Sequence, residues 1–303
     1  MTPEVLAARE RRLALLATLT LLAMTACWGS TFFLIHDLLD RVPAVDFLAV
    51  RFAIASAAML AVAPRALARL SAELRRRAVV LGLLYGVAQI LQTIGLAHTS
   101  ASVSGFITGM YVVFTPLLAA LVLRTRITAL TWGAVALAVG GLAVLTLQGF
   151  SVGYGEALTL VAAVIYALHI VGLGAWSTRA DAIGMSILQC LVIAATCFVA
   201  AVPHGITLPD RTGDWLAIVY MALFAGAAAL LGQTWAQAHL PPTRSAIIMS
   251  MEPVFAAFFA VLLGGESVTV RMLLGGAMVL SAMLVVELVP RRRIEAEVHH
   301  IAV

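Results

Sequence analysis

The chain has 303 residues, of which 62% are hydrophobic and 11% charged, with a net charge of +4. A soluble domain carries about 25% charged residues, so the balance excludes a soluble protein and indicates a membrane one. All 19 basic residues are arginines that punctuate apolar runs. That excludes the basic, aromatic-interleaved face nucleic-acid binding needs and leaves the lipid bilayer as the chain's solvent.

A bilayer crossing needs about 20 apolar residues, and ten stretches qualify. The first, 13–35, carries Trp28 beside Gly29-Ser30-Thr31. Its apolar run ending in Met24-Thr25-Ala26-Cys27 loosely resembles a lipoprotein signal. Cleavage there would leave nine crossings and erase half of the symmetry described below, so we read a retained helix. The second, 44–63, holds Arg51, about 12 Å below its end at 1.5 Å per residue. The third, 78–97, presents Tyr85, Gln89 and Gln92. The fourth, 101–123, places Ser104, Thr108, Tyr111 and Thr115 at spacings of a single helix face. Gly82/Gly86 and Gly105/Gly109 have the spacing that lets helices approach closely.

The fifth stretch, 129–147, has few polar residues. The sixth, 155–174, contains Tyr166 and His169, three apart and able to face one cavity. The seventh, 183–202, carries Gln189, Cys190 and Cys197. With Cys27 these cysteines all lie in apolar runs and read as packing residues, with no disulfide or metal framework. The eighth, 214–235, includes Gln233. The ninth, 244–263, has Glu252 directly before Pro253, and the tenth, 270–289, is again poor in polar groups. Short connections carry Pro43, Pro64, Gly149, Gly153, Pro203, Pro209, Pro241 and Pro242, which are helix breakers. Residues 1–12 and 290–303 read as tails.

Ten crossings put both termini on one side. With the N-terminus cytoplasmic, the inner segments hold Arg9, Arg11, Arg12, Arg65, Arg69, Arg75, Arg76, Arg77, Arg124, Arg126, Arg179, Arg244 and Arg291 to Arg293. The outer segments hold Arg41, Arg211 and Arg271. Positive residues collect inside, so the bias predicts a multi-pass protein of the plasma membrane with cytoplasmic termini.

Residues 92–105, QTIGLAHTSASVSG, are echoed at 233–246, QTWAQAHLPPTRSA. The echo extends outward: Trp28 to Thr31 corresponds to Tyr166 to His169, and Arg51 to Gln189. Pro116 answers Pro253, and Gly133 answers Gly275. Each half, 13–147 and 155–289, therefore holds five crossings. Five is odd, so the second half must enter the membrane inverted. The predicted fold is all-α, ten transmembrane helices arranged as two inverted five-helix repeats.

The motifs CWGSTF (27–32), FLAVRF (47–52), TSASVSGFITGMYVVFTPLLAALV (99–122), LPPTRSAIIMSMEPVFAAFFAVLLGGE (240–266) and LLGGAMVLSAMLVVE (273–287) resemble the drug/metabolite transporter superfamily. Specifically, they resemble its ten-helix EamA type. The resemblance covers about residues 15–288. It implies a transporter, with crossings 5 and 10 as peripheral supports and export as the direction. One departure is that the acidic residue often found after the fourth crossing is replaced by Arg124-Thr125-Arg126, while Glu266 keeps it in the second half.

Ionisable groups inside crossings are costly, roughly 2.5–3.5 kcal/mol at the helix centre, and are candidates for function. Glu252 is expected to exchange a proton, and His169 to relay one or bond substrate. Arg51 is expected to pair with Glu252, with a carbonyl of a broken helix or with a substrate anion. Trp28, Tyr111, Thr115, Gln92, Gln233 and Tyr166 complete the expected substrate and proton pathway. Alternatively these groups only bond helix to helix.

The function expected is a secondary transporter moving a small organic metabolite, amino-acid-like or amphiphilic, by alternating access coupled to protons. No cofactor is expected, and no phosphate-binding loop for ATP appears. The chain would act as a monomer or a homodimer. A channel would line its pore with rings of like groups, and an intramembrane enzyme would need a metal motif or paired aspartates. Neither pattern appears, so transport is preferred and these two readings stand only as its alternatives.

Overall fold

The computed structural model describes residues 3–99, 101–124, 126–146, 153–264 and 267–288. Every regular element among them is helical: α1 Pro3–Gly29, α2 Phe32–Leu39, α3 Ala44–Val62, α4 Ala72–Leu96, α5 Ala101–Gly109, α6 Tyr111–Val122 and α7 Ala129–Thr146. The second half gives α8 Tyr154–Trp176, α9 Ala182–Ala201, α10 Thr212–Tyr220, α11 Ala229–Gln237, α12 Pro242–Met249, α13 Glu252–Gly264 and α14 Val270–Leu288. A π-helical segment, Met221–Ala228, joins α10 to α11.

Eight helical stretches are long and apolar enough to cross a bilayer, and α7 and α14 supply two shorter apolar ones. Together they make the ten predicted crossings. Glu266, Gly149 and the tail 290–303 lie outside the described residues.

Three crossings read as continuous are broken midway. In the first, Ser30 Oγ donates to the Cys27 carbonyl at 2.7 Å and Thr31 Oγ1 to that of Trp28 at 2.8 Å. Hydroxyls bonding back to the preceding turn compete with the helical ladder, and the chain restarts at Phe32. In the fourth, the ladder tightens around Met110, whose N–H reaches the Ile107 carbonyl at 3.1 Å. In the ninth, Pro253 has no N–H to donate and disfavours helix at the residue before it. Ser250 Oγ donates to the Ile247 carbonyl at 2.7 Å, so α12 ends and α13 begins at Glu252.

The third crossing starts earlier than its hydropathy indicates. Ser71 Oγ accepts the Leu74 N–H at 3.2 Å, an N-cap that starts the helix before the apolar run. Glu73 then pairs with Arg77 at 2.8 Å and Arg76 at 3.1 Å.

The halves interlock reciprocally. In the first half α4 packs against α8 and α9, while in the second α11 packs against α1 and the π segment against α3. Gly82 and Gly86 allow the α4–α9 approach: a Cβ on Gly82 would lie 2.7 Å from Val192 Cβ, and one on Gly86 3.2 Å from Thr196 Cβ. The second such pair is unequal. A Cβ on Gly109 would lie 2.9 Å from Leu142 Cδ1, whereas one on Gly105 would meet only Phe32 Cε1 at 3.9 Å. The short helices α7 and α14 pair with each other closely enough that a Cβ on Gly141 would lie 2.8 Å from the Gly275 carbonyl oxygen. At the periphery Arg41 ties α2 to α10 through Asp37 at 2.6 Å and Asp214 at 2.7 Å. These hydrogen bonds hold the Arg41 guanidinium above its ordinary range, with Asp214 the larger cause.

Candidate functional site

The broken crossings converge on a cavity of about 710 Å³, its mouth included. Its wall takes residues from α1 to α6, α8 and α11 to α13, and none from α7 or α14. Eight of the nine predicted site residues line it: Trp28, Arg51, Gln92, Tyr111, Tyr166, His169, Gln233 and Glu252. Thr115 is buried away from this lining, and its Oγ1 has no partner. The stripe from Ser104 to Thr115 is divided at Met110 into α5 and α6. Ser104 is likewise buried off the wall, while Thr108 and Tyr111 stay on it.

Discontinuous helices at membrane depth free backbone and side-chain groups for a ligand. Glu252 is the first residue of α13, where the positive end of the helix dipole favours a carboxylate. Among the described residues its carboxyl makes no hydrogen bond and no ion pair. The turn that carries it is held by close packing. A Cβ on Gly29 would lie 2.9 Å from the Glu252 carbonyl oxygen and 2.8 Å from Ala256 N.

Arg51 reaches across to the irregular eighth crossing. Its Nη2 donates to the Ala225 carbonyl at 3.0 Å, and Trp28 Nε1 donates to the same oxygen at 2.9 Å. Of the three partners expected for Arg51, the structure therefore holds the carbonyl of a distorted helix. The composition of residues 221–228 carries no sign of this distortion, and only the two long-range donors mark it. In the first repeat the equivalent residues, 80–87, remain α-helical.

His169 is fully buried, and its Nε2 bonds Gln189 Oε1 at 3.0 Å while Nδ1 has no partner. The repeat pairs Gln189 with Arg51 and His169 with Thr31. The positions that carry Arg51 and Thr31 in one half thus bond to each other in the other half. Tyr85 sits between these groups, edge-on to Tyr166 at 5.4 Å and to His169 at 5.0 Å.

A directed chain of hydrogen bonds forms one wall. Gln89 Nε2 donates to the Tyr166 hydroxyl at 2.5 Å, which donates to Gln92 Oε1 at 2.8 Å. Gln92 Nε2 then donates to Thr108 Oγ1 at 3.0 Å. On the opposite repeat Gln233 Nε2 donates to Gln237 Oε1 at 3.1 Å, and Gln237 Nε2 to the Ile170 carbonyl at 3.1 Å. Arg51 Nε, Tyr111 Oη, His169 Nδ1 and Gln233 Oε1 are buried without partners, and all four residues line the cavity. Buried polar atoms are ordinarily satisfied, so these four are donors and acceptors left open beside the cavity. The apolar part of the wall, Phe32, Ile35, Leu96 and Ile170, escaped sequence reading because such residues fill every crossing.

The sequence matches the EamA-like transporter family over residues 15–147 and 153–288. It is similar to an uncharacterized transporter of Archaeoglobus fulgidus, 29% identical over 283 residues, covering 90% of this chain and 86% of that one. A solved crystal structure matches with a TM-score of 0.77 at 18% identity, over 91% of this chain and 98% of the other. That likeness concerns the fold alone.

Proposed function

Because this multi-pass membrane chain belongs to the EamA-like transporter family, we propose that it is a proton-coupled secondary transporter that exports a small amino-acid-like or amphiphilic metabolite. The two halves, 13–147 and 155–289, rock about the cavity to expose it alternately to either side. The arginine asymmetry supports a plasma-membrane orientation with cytoplasmic tails.

One observation carries the proposal: Glu252 faces the cavity from the start of a half-helix with no internal partner among the described residues. A carboxyl so placed is free to bind either a proton or the cationic group of a solute, and mutual exclusion between the two is the simplest form of coupling. Tyr111, Tyr166 and Trp28 add aromatic surface, and Gln92, Gln233 and His169 add hydrogen-bonding groups. Such a wall suits a solute that is part apolar and part polar.

The test uses the protein in proteoliposomes with imposed pH gradients. Glu252→Gln is expected to lose gradient-driven uptake and its pH dependence while retaining part of the substrate exchange. An unchanged pH dependence in that variant refutes the coupling role.

A further inference from the structure

Arg51 carries a guanidinium that the bundle buries to 3% exposure and bonds once. Nη2 holds the Ala225 carbonyl, Nε has no acceptor, and no carboxylate forms an ion pair with it among the described residues. The rings of Phe47 and Phe52, 5.8 and 5.2 Å from Cζ, shield the group from water. A buried charge is costly unless paired, and one neutral carbonyl is a poor pair.

Arg41 shows what the same edge does with an acid. Its Nε donates to Asp214 Oδ2 at 3.1 Å and its Nη2 to Oδ1 at 2.7 Å. The two N–H groups on that edge match the two oxygens of a carboxylate. Arg51 offers the same edge, half used. The carbonyl oxygen occupies one donor and leaves the other unpaired.

We propose that this edge of Arg51 is the subsite for a carboxylate on the substrate, and that filling it releases the Ala225 carbonyl and the π segment. This deepens the transporter reading and rests on it. Arg51 forms part of the cavity wall, yet its Nε is covered in this state. A carboxylate completes the fork only as Ala225 withdraws. It then makes two charge-assisted bonds in the released state and none with this edge in the latched state, where Nη2 is occupied and Nε covered. That difference is what a ligand needs in order to shift a conformational equilibrium.

The released carbonyl keeps Trp28 Nε1, while Met221–Ala228 loses the stronger of its two long-range donors. Rewinding this segment toward an α-helix turns α11, and Gln233 with it, relative to the cavity. The first repeat is α-helical at the equivalent residues, so the response belongs to one half of the molecule.

The experiment follows the full-length protein with three classes of probe: each common amino acid, the corresponding amino-acid amide, and the amine-free carboxylates acetate and benzoate. Binding is read by thermal stabilisation, and the eighth crossing by hydrogen exchange over residues 221–230. The expected result is a carboxylate-bearing probe that binds at least tenfold more tightly than its amide and changes exchange over 221–230 at least threefold. Arg51→Lys keeps the charge but not the fork, and should erase the preference for acid over amide.

Equal binding of acid and amide overturns the subsite, as does a preference that survives in Arg51→Lys or exchange that a bound acid leaves unmoved. If Arg51→Lys does not fold, the comparison of acid with amide in the unaltered protein decides. Binding and transport confined to amines or neutral solutes overturns the subsite and leaves the transporter reading standing. A protein that moves no small solute defeats both.

Discussion

Replacing Gly29 by alanine should destabilise the fold in a way that a matched replacement of Gly133 does not. The added Cβ at position 29 would lie 2.8 Å from Ala256 N, 2.8 Å from Phe255 Cβ and 2.9 Å from the Glu252 carbonyl oxygen. Optimal separation of such atoms is about 3.5–4.0 Å, so α1 and α13 must part by roughly 0.6–1 Å. Two of the three obstacles are backbone atoms and the third is a Cβ, so none can swing aside. Overpacking of this kind costs about 1–3 kcal/mol. Gly133 is exposed in α7, and a Cβ added there meets nothing within 4 Å. Alanine at that position gains up to about 1 kcal/mol of helix propensity. The two variants should therefore differ by about 1–4 kcal/mol in reversible unfolding in mixed detergent micelles. Because the Glu252 turn is among the displaced groups, Gly29→Ala should also lose transport. A Gly29→Ala protein within about 0.5 kcal/mol of the parent, or one that falls together with Gly133→Ala, would refute the reasoning.

Gln189→Leu removes the partner of a fully buried imidazole nitrogen on His169, and should cost about 1–3 kcal/mol in the same unfolding assay. A neutral outcome would mean that His169 finds another acceptor. A third prediction concerns pH. His239 lies between α11 and α12, where burial lowers its imidazole below the ordinary range. The Trp235 carbonyl opposes this, and Arg179 adds to it. With the folded value below the unfolded one of about 6.5, the unfolded chain takes up the proton first. Stability is therefore present above that pH and lost as the medium turns more acid. Between pH 7.5 and pH 5.5 the unfolding midpoint should fall less in His239→Gln than in the parent, and parallel slopes would exclude the assignment.

The ten crossings and the five-plus-five arrangement were legible because lipid demands long apolar runs and arginine marks their ends. The cavity was legible in outline for a related reason. Polar groups such as Gln92, Tyr166 and Glu252 are expensive in lipid, so each one signals an interior. Pro253 also announced an irregularity in the ninth crossing. The break after Gly29 announced nothing comparable, since Ser30 and Thr31 often sit inside intact helices and bond back there too. The π segment was hidden altogether. Met221–Ala228 has an ordinary helical composition, and its geometry accompanies two side chains that lie 174 and 197 positions away. Thr115 and Ser104 lie at the two ends of the stripe, beyond the reach of the cavity that Thr108 and Tyr111 line.

The wall formed by Gln89, Tyr166, Gln92 and Thr108 bears on leakage. Protons hop along files of water and hydroxyl groups because each member can give up one proton while accepting another. A carboxamide donates at nitrogen and accepts at oxygen, but it does not ionise near neutral pH. Gln89 and Gln92 flank the Tyr166 hydroxyl on both sides, so no hop can pass through that file. On the proposed transporter reading, the wall would offer hydrogen bonds to a polar solute without itself conducting protons. If the transporter is driven by a proton gradient as proposed, the same amides that line the cavity would keep that gradient from being short-circuited through this file.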